Sequence, residues 1–326
     1  MKFILTLDTE ADNQWAHGVD LSTRNLRFIP RLEEICDRFD VRPTYLVTSE
    51  VCGDEFAARL LSEYQSSGRA EVGAHLHVWT TPPFEDKPGF RFNDTLHGFA
   101  NELPEPLLRN KIERLTQEIG SAFGQRPTSF RSGRYGFDDK CARILLDNGY
   151  TVDSSVTPYI DWSSAKGMPG GTGGPDFSRK SPRHSFISIG NKSLLEIPVT
   201  VLPTIFPLTA NDLLARFYSS LGNTLSARMA RKLTFGNQPV WLRPFRSTTL
   251  DAFRKVVEEA GKRNLEFITM MFHSSELMPG CSPYRKNQQE VEALFALLSE
   301  FFRMLRDQAI RSLTLSEAAN AVRTMN

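Results

Sequence analysis

Two acids spaced two residues apart, Asp8 and Glu10, close the apolar run LTLDTEAD, and two histidines with the same spacing, His75 and His77, close EVGAHLH. Residues two apart on a strand point to the same side, so each pair can face a common centre. A carboxylate and two imidazoles suit a divalent cation. Zn²⁺ is the first choice as a borderline-soft ion, with Co²⁺, Mn²⁺ or Ni²⁺ as alternatives. A catalytic site of this kind keeps a position for water and leaves the second carboxylate as a general base. His273 ends another apolar run, MMFH, and Arg131 lies in SFRSGRYG. His273, with an ordinary pKa near ~6.5, can give or take a proton near neutrality. Arg131 within reach of Asp8 would fix that carboxylate and keep it ionised.

Elements that could position these groups alternate along the chain. Strands are expected at Phe3–Thr9, Pro43–Val47, Glu71–His75, Ser129–Ser132, Val152–Ser155, Leu194–Val201, Val240–Phe245, Phe267–His273 and Ser312–Leu315. Their few internal charges suit strands buried on both faces. Helical spacing runs through Leu26-Ile29-Leu32-Ile35-Phe39, Phe56-Leu60-Leu61-Tyr64 and Leu107-Leu108-Ile112-Leu115-Ile119-Phe123, with further helices at 138–148, 211–233, 248–263 and 288–308. Repeated β-α units with this many strands favour a closed or nearly closed parallel barrel, a doubly wound sheet being the alternative. In such a barrel the chemistry sits where strands end and helices begin, which is where the acids and histidines fall. The whole chain, 1–326, reads as a single barrel domain with insertions at about 80–104 and 163–184.

Composition excludes several function classes. Lys and Arg number 39 against 38 Asp and Glu, a net charge of +1, which lacks the basic footprint of a phosphate-neutralising nucleic-acid binder. Forty per cent hydrophobic residues are too many for a disordered chain. No run reaches the ~18 apolar residues of a membrane span, and Asp8 and Glu10 cut short what could be an N-terminal export signal. The four cysteines are scattered, so a reduced, cytoplasmic protein is expected. Oligomeric state is left open. The run Gly170-Gly171-Thr172-Gly173-Gly174 lacks the Gly-Lys-Ser/Thr of a phosphate loop and reads as a mobile lid or disordered chain. Trp79, Phe84, Phe90, Phe92, Phe99 and Trp162 offer aromatic stacking surfaces for a ligand, and Arg243, at the end of another strand, is a candidate substrate contact.

LTLDTEAD, EVGAHLH, SFRSGRYGFD, GYTVDSSVTPYIDW and MMFHSS fall in the order of the five motifs of the polysaccharide deacetylases. That family is also known as carbohydrate esterase family four, or the NodB homology domain, and the resemblance spans about residues 3 to 275. It implies a distorted (β/α)7–8 barrel, a divalent metal and removal of acetyl groups from N-acetylated sugars. Asp8 then matches the base, Glu10 and His75 metal ligands, Arg131 the residue orienting the base, and His273 the general acid. The family's second metal histidine falls at Trp79, so His77 takes its place, with His97 as the other candidate. Tyr135 matches the aromatic residue whose backbone N–H binds the oxyanion, and Asp161, followed by Trp162, matches the aspartate that orients the acid. Two other readings stay open: hydrolysis of a small cyclic amide or imide on the same fold, and a non-catalytic carbohydrate-binding relative.

Overall fold

The computed structural model describes residues 1–14, 21–86, 88, 89, 91, 94, 96–204 and 239–325. The helix expected over 211–233, and Phe90 and Phe92, lie outside the described residues.

An eight-stranded sheet in the order β10-β1-β2-β3-β4-β5-β7-β6 forms the frame. Its strands are β1 (Lys2–Thr9), β2 (Pro43–Val47), β3 (Glu71–Leu76), β4 (Ser129–Ser132), β5 (Val152–Asp153), β6 (Ser185–Ile189), β7 (Lys192–Glu196) and β10 (Phe267–His273). Every neighbouring pair is parallel except the β6–β7 hairpin at the edge. Beyond Glu196 the chain crosses to the other end of the sheet. Ile197 and Val199 N–H groups donate to the Asp153 and Val156 carbonyls, and Thr200 N–H donates to Thr269 of β10 at 3.0 Å. The curled sheet is thus stitched shut as a distorted (β/α) barrel. The strand expected over Leu194–Val201 therefore divides into β7 and β8 (Val201–Leu202), which pairs with β9 (Val240–Trp241). Pro198, which has no N–H to give a ladder, sits at the break.

The strands form for the reason their sequences suggest. KFILTLDT is buried from Phe3 onward and paired on both sides, and alternate residues Ile4, Thr6 and Asp8 share one face. Helices cover the outer face. They are α1 (Ile29–Arg38), the short α2 (Ser49–Cys52), α3 (Glu55–Ser66), α4 (Glu105–Phe123), α5 (Asp139–Asp147), α6 (Leu250–Lys262) and α7 (Gln288–Asp307). The buried stripe of α4, Leu108-Ile112-Leu115-Ile119-Phe123, follows the 3/4 spacing, and Gly124 ends it in the left-handed conformation at φ 75°. Asp54, Asp138, Thr249 and Asn287 cap α3, α5, α6 and α7 by accepting backbone N–H bonds.

The expected strand at Ser312–Leu315 is only a bridge from Ser312 to Phe3, after which the chain turns into α8 (Leu315–Met325). Leu315, Ala318, Ala319 and Val322 of α8 cluster with Ile4, Leu46, Val152, Leu195 and Phe267 at the N-terminal ends of the strands. α8 thus fills that end, and the cavity over Asp8 and His273 opens at the C-terminal ends. No described helix is long and apolar enough to cross a membrane.

Candidate active site

Register does most of the positioning. Asp8 lies opposite His273 across β1–β10, and His75 opposite Arg131 across β3–β4. These four side chains, from four strands, converge at the C-terminal mouth. Arg131, fully buried, donates from Nη1 to Asp8 Oδ1 at 2.7 Å, from Nε to the Ser154 carbonyl at 2.7 Å and from Nη2 to Ser154 Oγ at 3.0 Å. Burial pushes the Asp8 pKa upward. Arg131, then His75 and His273, overcome that and hold it at about 2. The other Asp8 oxygen lies 3.7 Å from His75 Nε2 and 4.0 Å from His273 Nε2.

Hydrogen bonds settle which imidazole nitrogens carry protons. His75 Nδ1 is 3.0 Å from the Arg131 carbonyl, which only accepts, so Nδ1 donates and Nε2 presents a lone pair. His77 Nδ1 is 3.3 Å from Gln14 Oε1. That oxygen also receives Trp79 Nε1, a group that only donates, at 3.2 Å, which fixes the amide orientation. Gln14 Nε2 in turn donates to Glu50 Oε1 at 2.7 Å. The His77 Nε2 lone pair thus faces Glu10 Oε2 at 3.5 Å. Burial draws both histidine pKa values down, His75 to about 4 and His77 well below the usual range, so both imidazoles are neutral.

Glu10 completes the group. Among the described residues its buried carboxylate has no hydrogen bond to either oxygen, and one ligand atom each from Glu10, His75 and His77 lies within 4.8 Å of the others. Burial, then Asp8 and Glu50, raise its pKa well above normal. Two lone pairs and an orphaned carboxylate facing one point lack only a positive charge, so these residues fit a divalent cation. Gly133 permits the packing: a Cβ there would stand 2.5 Å from His77 Cδ2 and 2.6 Å from the Leu76 carbonyl.

Across the mouth, His273 Nδ1 stands 3.0 Å from Arg243 Nη2 and 3.2 Å from Glu276 Oε1, and Arg243 donates to the same oxygen at 3.1 Å. Burial and then Arg243 lower the His273 pKa, while Glu276 and Asp8 oppose them. A cavity of about 250 Å³ opens over Asp8, His75, His77 and His273. Its walls include Tyr135, Trp162, Trp241, Phe245 and Tyr284. Arg134 and Tyr135 hold φ 54° and 63°, an uncommon backbone for non-glycine residues that places both at the cavity wall.

Several sequence expectations find different surroundings. Trp79 offers no face to a ligand, being buried between His77 and His97 with ring centroids 4.3 Å away on each side. His97 therefore stands behind Trp79, away from Glu10. Asp161 accepts the Ser163 N–H at 2.8 Å in an Asx turn and does not line the cavity. Glu276 occupies the place beside His273 that Asp161 was expected to take. Arg243 is buried and paired with Glu276. Gln14, Glu50, Glu276, Phe245 and Tyr284 went unrecognised in the sequence. Only Glu276 carried a signal there, its position three residues after His273, where its carboxylate accepts the His273 N–H.

The glycine run is not a free lid. Glu102 accepts the N–H groups of Phe99 and Met168 on Oε2 and of Gly173 on Oε1, at 2.8–3.0 Å. A Cβ at Gly167 or Gly171 would lie 2.1 Å from that carboxylate. The anion cradled by these glycines belongs to the chain itself.

No protein-family model matches the chain, and no curated protein matches it by sequence. Among solved structures it is similar to a Mycobacterium smegmatis protein provisionally assigned as a polysaccharide deacetylase. The TM-score is 0.57 at 14% identity, covering 99% of this chain and 91% of that one. It is also similar to a 4-alpha-glucanotransferase from Thermococcus litoralis, with a TM-score of 0.54 at 11% identity over 97% of this chain and 40% of that one. At these identities the likeness is one of fold. That fold is the distorted barrel seen in the polysaccharide deacetylase structure.

Proposed function

We propose that the protein is a metal-dependent hydrolase of the polysaccharide deacetylase kind, which removes an acetyl group from an N-acetylated sugar or glycan intermediate. The observation that carries this reading is the buried, unpartnered Glu10 carboxylate facing the lone pairs of His75 and His77. A divalent cation held there, Zn²⁺ by preference, would supply Lewis-acid polarisation of the acyl oxygen and a more acidic water. Asp8, ionised through the working range and locked by Arg131, accepts the proton of the attacking water. His273, on the opposite side and steadied by Glu276 and Arg243, is placed to serve the leaving amine. Tyr135 is the candidate backbone donor to the oxyanion, and Trp162 a stacking face for the ring. The aromatic walls favour one second reading, a small cyclic amide or imide as substrate.

The test is metal analysis of protein purified without added metal, followed by acetate release from N-acetylated sugars and ring opening of cyclic imides with Zn²⁺, Co²⁺ or Mn²⁺ restored. Asp8→Asn should keep the metal and lose turnover, whereas His75→Ala should lose both. Less than ~0.2 equivalents of metal, with no gain on adding any of the three ions, would sink the proposal.

A further inference from the structure

Resting on that reading, we infer that Asp153 and Glu196, a buried carboxyl pair behind the active site, share one proton and act together as a positioning unit for its oxyanion side. The pair holds Ser155, Ser155 holds the Ser132 N–H, and Ser132 opens the turn that carries Arg134 and Tyr135 to the cavity wall.

The two acids stand opposite each other in the parallel register of β5 and β7, and both are buried. Asp153 meets donors at both oxygens. Ser155 Oγ donates to Oδ1 at 2.8 Å, and the Ser155 N–H donates to Oδ2 at 2.9 Å. Glu196 Oε1 accepts the Val156 N–H at 3.0 Å, but among the described residues no donor reaches the buried Oε2. The two carboxyl groups hydrogen-bond to each other, which requires a proton on one of them. That proton belongs on Glu196 Oε2, because the donors around Asp153 suit an anion.

The neighbouring charges agree with a single negative charge on the pair. Burial, then Asp153, hold the Glu196 pKa well above the usual carboxylate range. Arg131 of β4 is a cation acting on the pair, but its guanidinium is already bonded to Asp8 and Ser154. Cys141 of α5 faces Asp153, and burial pushes its thiol pKa up, so it stays neutral. Glu196 also borders an outer cavity of about 430 Å³. Asp138, Asp139 and Asp176 there oppose Lys140, Lys180 and Arg183, three charges of each sign, so no net charge favours a second anion.

A singly charged pair sets a direction along the chain of bonds. The Ser155 hydroxyl has one hydrogen, and giving it to Asp153 leaves a lone pair for the Ser132 N–H at 2.9 Å. Ser132 Oγ donates in turn to the Gly136 carbonyl at 3.0 Å, so the turn 132–136 is tied at both ends. Tyr135, at φ 63°, lies within it.

Infrared difference spectra of chelator-treated protein in heavy water, near neutral pH, test the shared proton without turnover. Wild type minus Glu196→Gln should show a protonated-carboxyl C=O band, and a carboxylate band in its place would overturn the inference. Amide exchange of Ser132 tests the positioning. Glu196→Met should speed it about tenfold, and Glu196→Gln, whose amide can donate in the proton's place, should restore protection. Acetate release should follow the same order: Glu196→Met loses about 10–100-fold in kcat with little change in KM, because a misplaced donor is felt in the transition state. Should Glu196→Met fail to fold, Ser155→Ala takes its place, with faster Ser132 exchange and the carboxyl band retained. Equal behaviour of the Met and Gln variants, or unchanged Ser132 exchange in Ser155→Ala, would also overturn the inference. If the infrared and exchange results hold but wild type releases no acetate, the proposed reaction fails and the proton-sharing pair stands.

Discussion

Removing the Arg131 guanidinium is the sharpest test of how the site is held. In Arg131→Met, Asp8 remains buried but loses the guanidinium hydrogen-bonded to it, and Ser154 loses donors to its carbonyl and hydroxyl. In the native protein the Asp8 pKa is about 2 against an ordinary 3.8. A lowered carboxylate pKa stabilises the fold above the unfolded-state value, and the gain is lost as pH falls towards 2. The gap corresponds to about 2 kcal/mol at neutral pH. Without Arg131 burial dominates and the sign reverses. Asp8 titrates above its unfolded value and costs stability at neutral pH, and the cost is relieved as pH falls. Breaking a buried pair from one side typically costs about 3–5 kcal/mol, and that loss is expected at pH 7. Urea unfolding of chelator-treated protein at pH 7 and pH 4.5 measures it. The loss should shrink by about 1–2 kcal/mol at the lower pH. Adding Asp8→Asn to Arg131→Met removes the stranded anion, so the double-mutant coupling should be about 2 kcal/mol. A coupling below about 0.5 kcal/mol, or an equal loss at both pH values, would refute the account of Arg131 as the counter-charge of Asp8.

Elsewhere, Glu33 is buried under α1 and accepts a hydrogen bond from Tyr45. Burial raises its pKa to about 7, Arg69 and the Tyr45 bond only partly offsetting it. A raised carboxyl pKa stabilises below the unfolded value and is lost as pH climbs through 7. Stability should therefore fall by on the order of 3 kcal/mol between about pH 5 and pH 8, and Glu33→Gln should flatten that slope in urea titrations. Equal slopes in the two proteins would contradict this. Gly133→Ala should displace His77 and weaken Zn²⁺ binding by roughly 10–100-fold in chelator competition, with near-native circular dichroism. Unchanged affinity would mean that His77 does not hold the metal.

Much of the frame was legible because its signals are local. Fully buried parallel strands read as apolar runs, and Pro43–Val47, Ser129–Ser132 and Phe267–His273 stand where expected, as does the amphipathic stripe of α4. The order of acids and histidines along the chain already matched strand ends. Where expectation and structure part, the cause lies in what the chain meets. Ser312–Leu315 has apolar residues suited to a strand but makes only one bridge, Ser312 to Phe3, before α8 begins at Leu315 and packs on the strand ends. The glycine run looked free because its anion, Glu102, comes from about seventy residues earlier in the chain.

The sequence by itself determined which residue types can do chemistry and that alternation on strands would present Asp8 with Glu10, and His75 with His77, at strand ends. Only the tertiary structure decided their partners, because partnership depends on register between strands far apart in the chain. Asp8 meets Arg131 through β4, His77 is oriented by Gln14, and His273 is flanked by Glu276 and Arg243. Trp79 shows the same point in reverse. Its side chain suits a sugar-stacking face, but packing between two imidazoles leaves it no open surface.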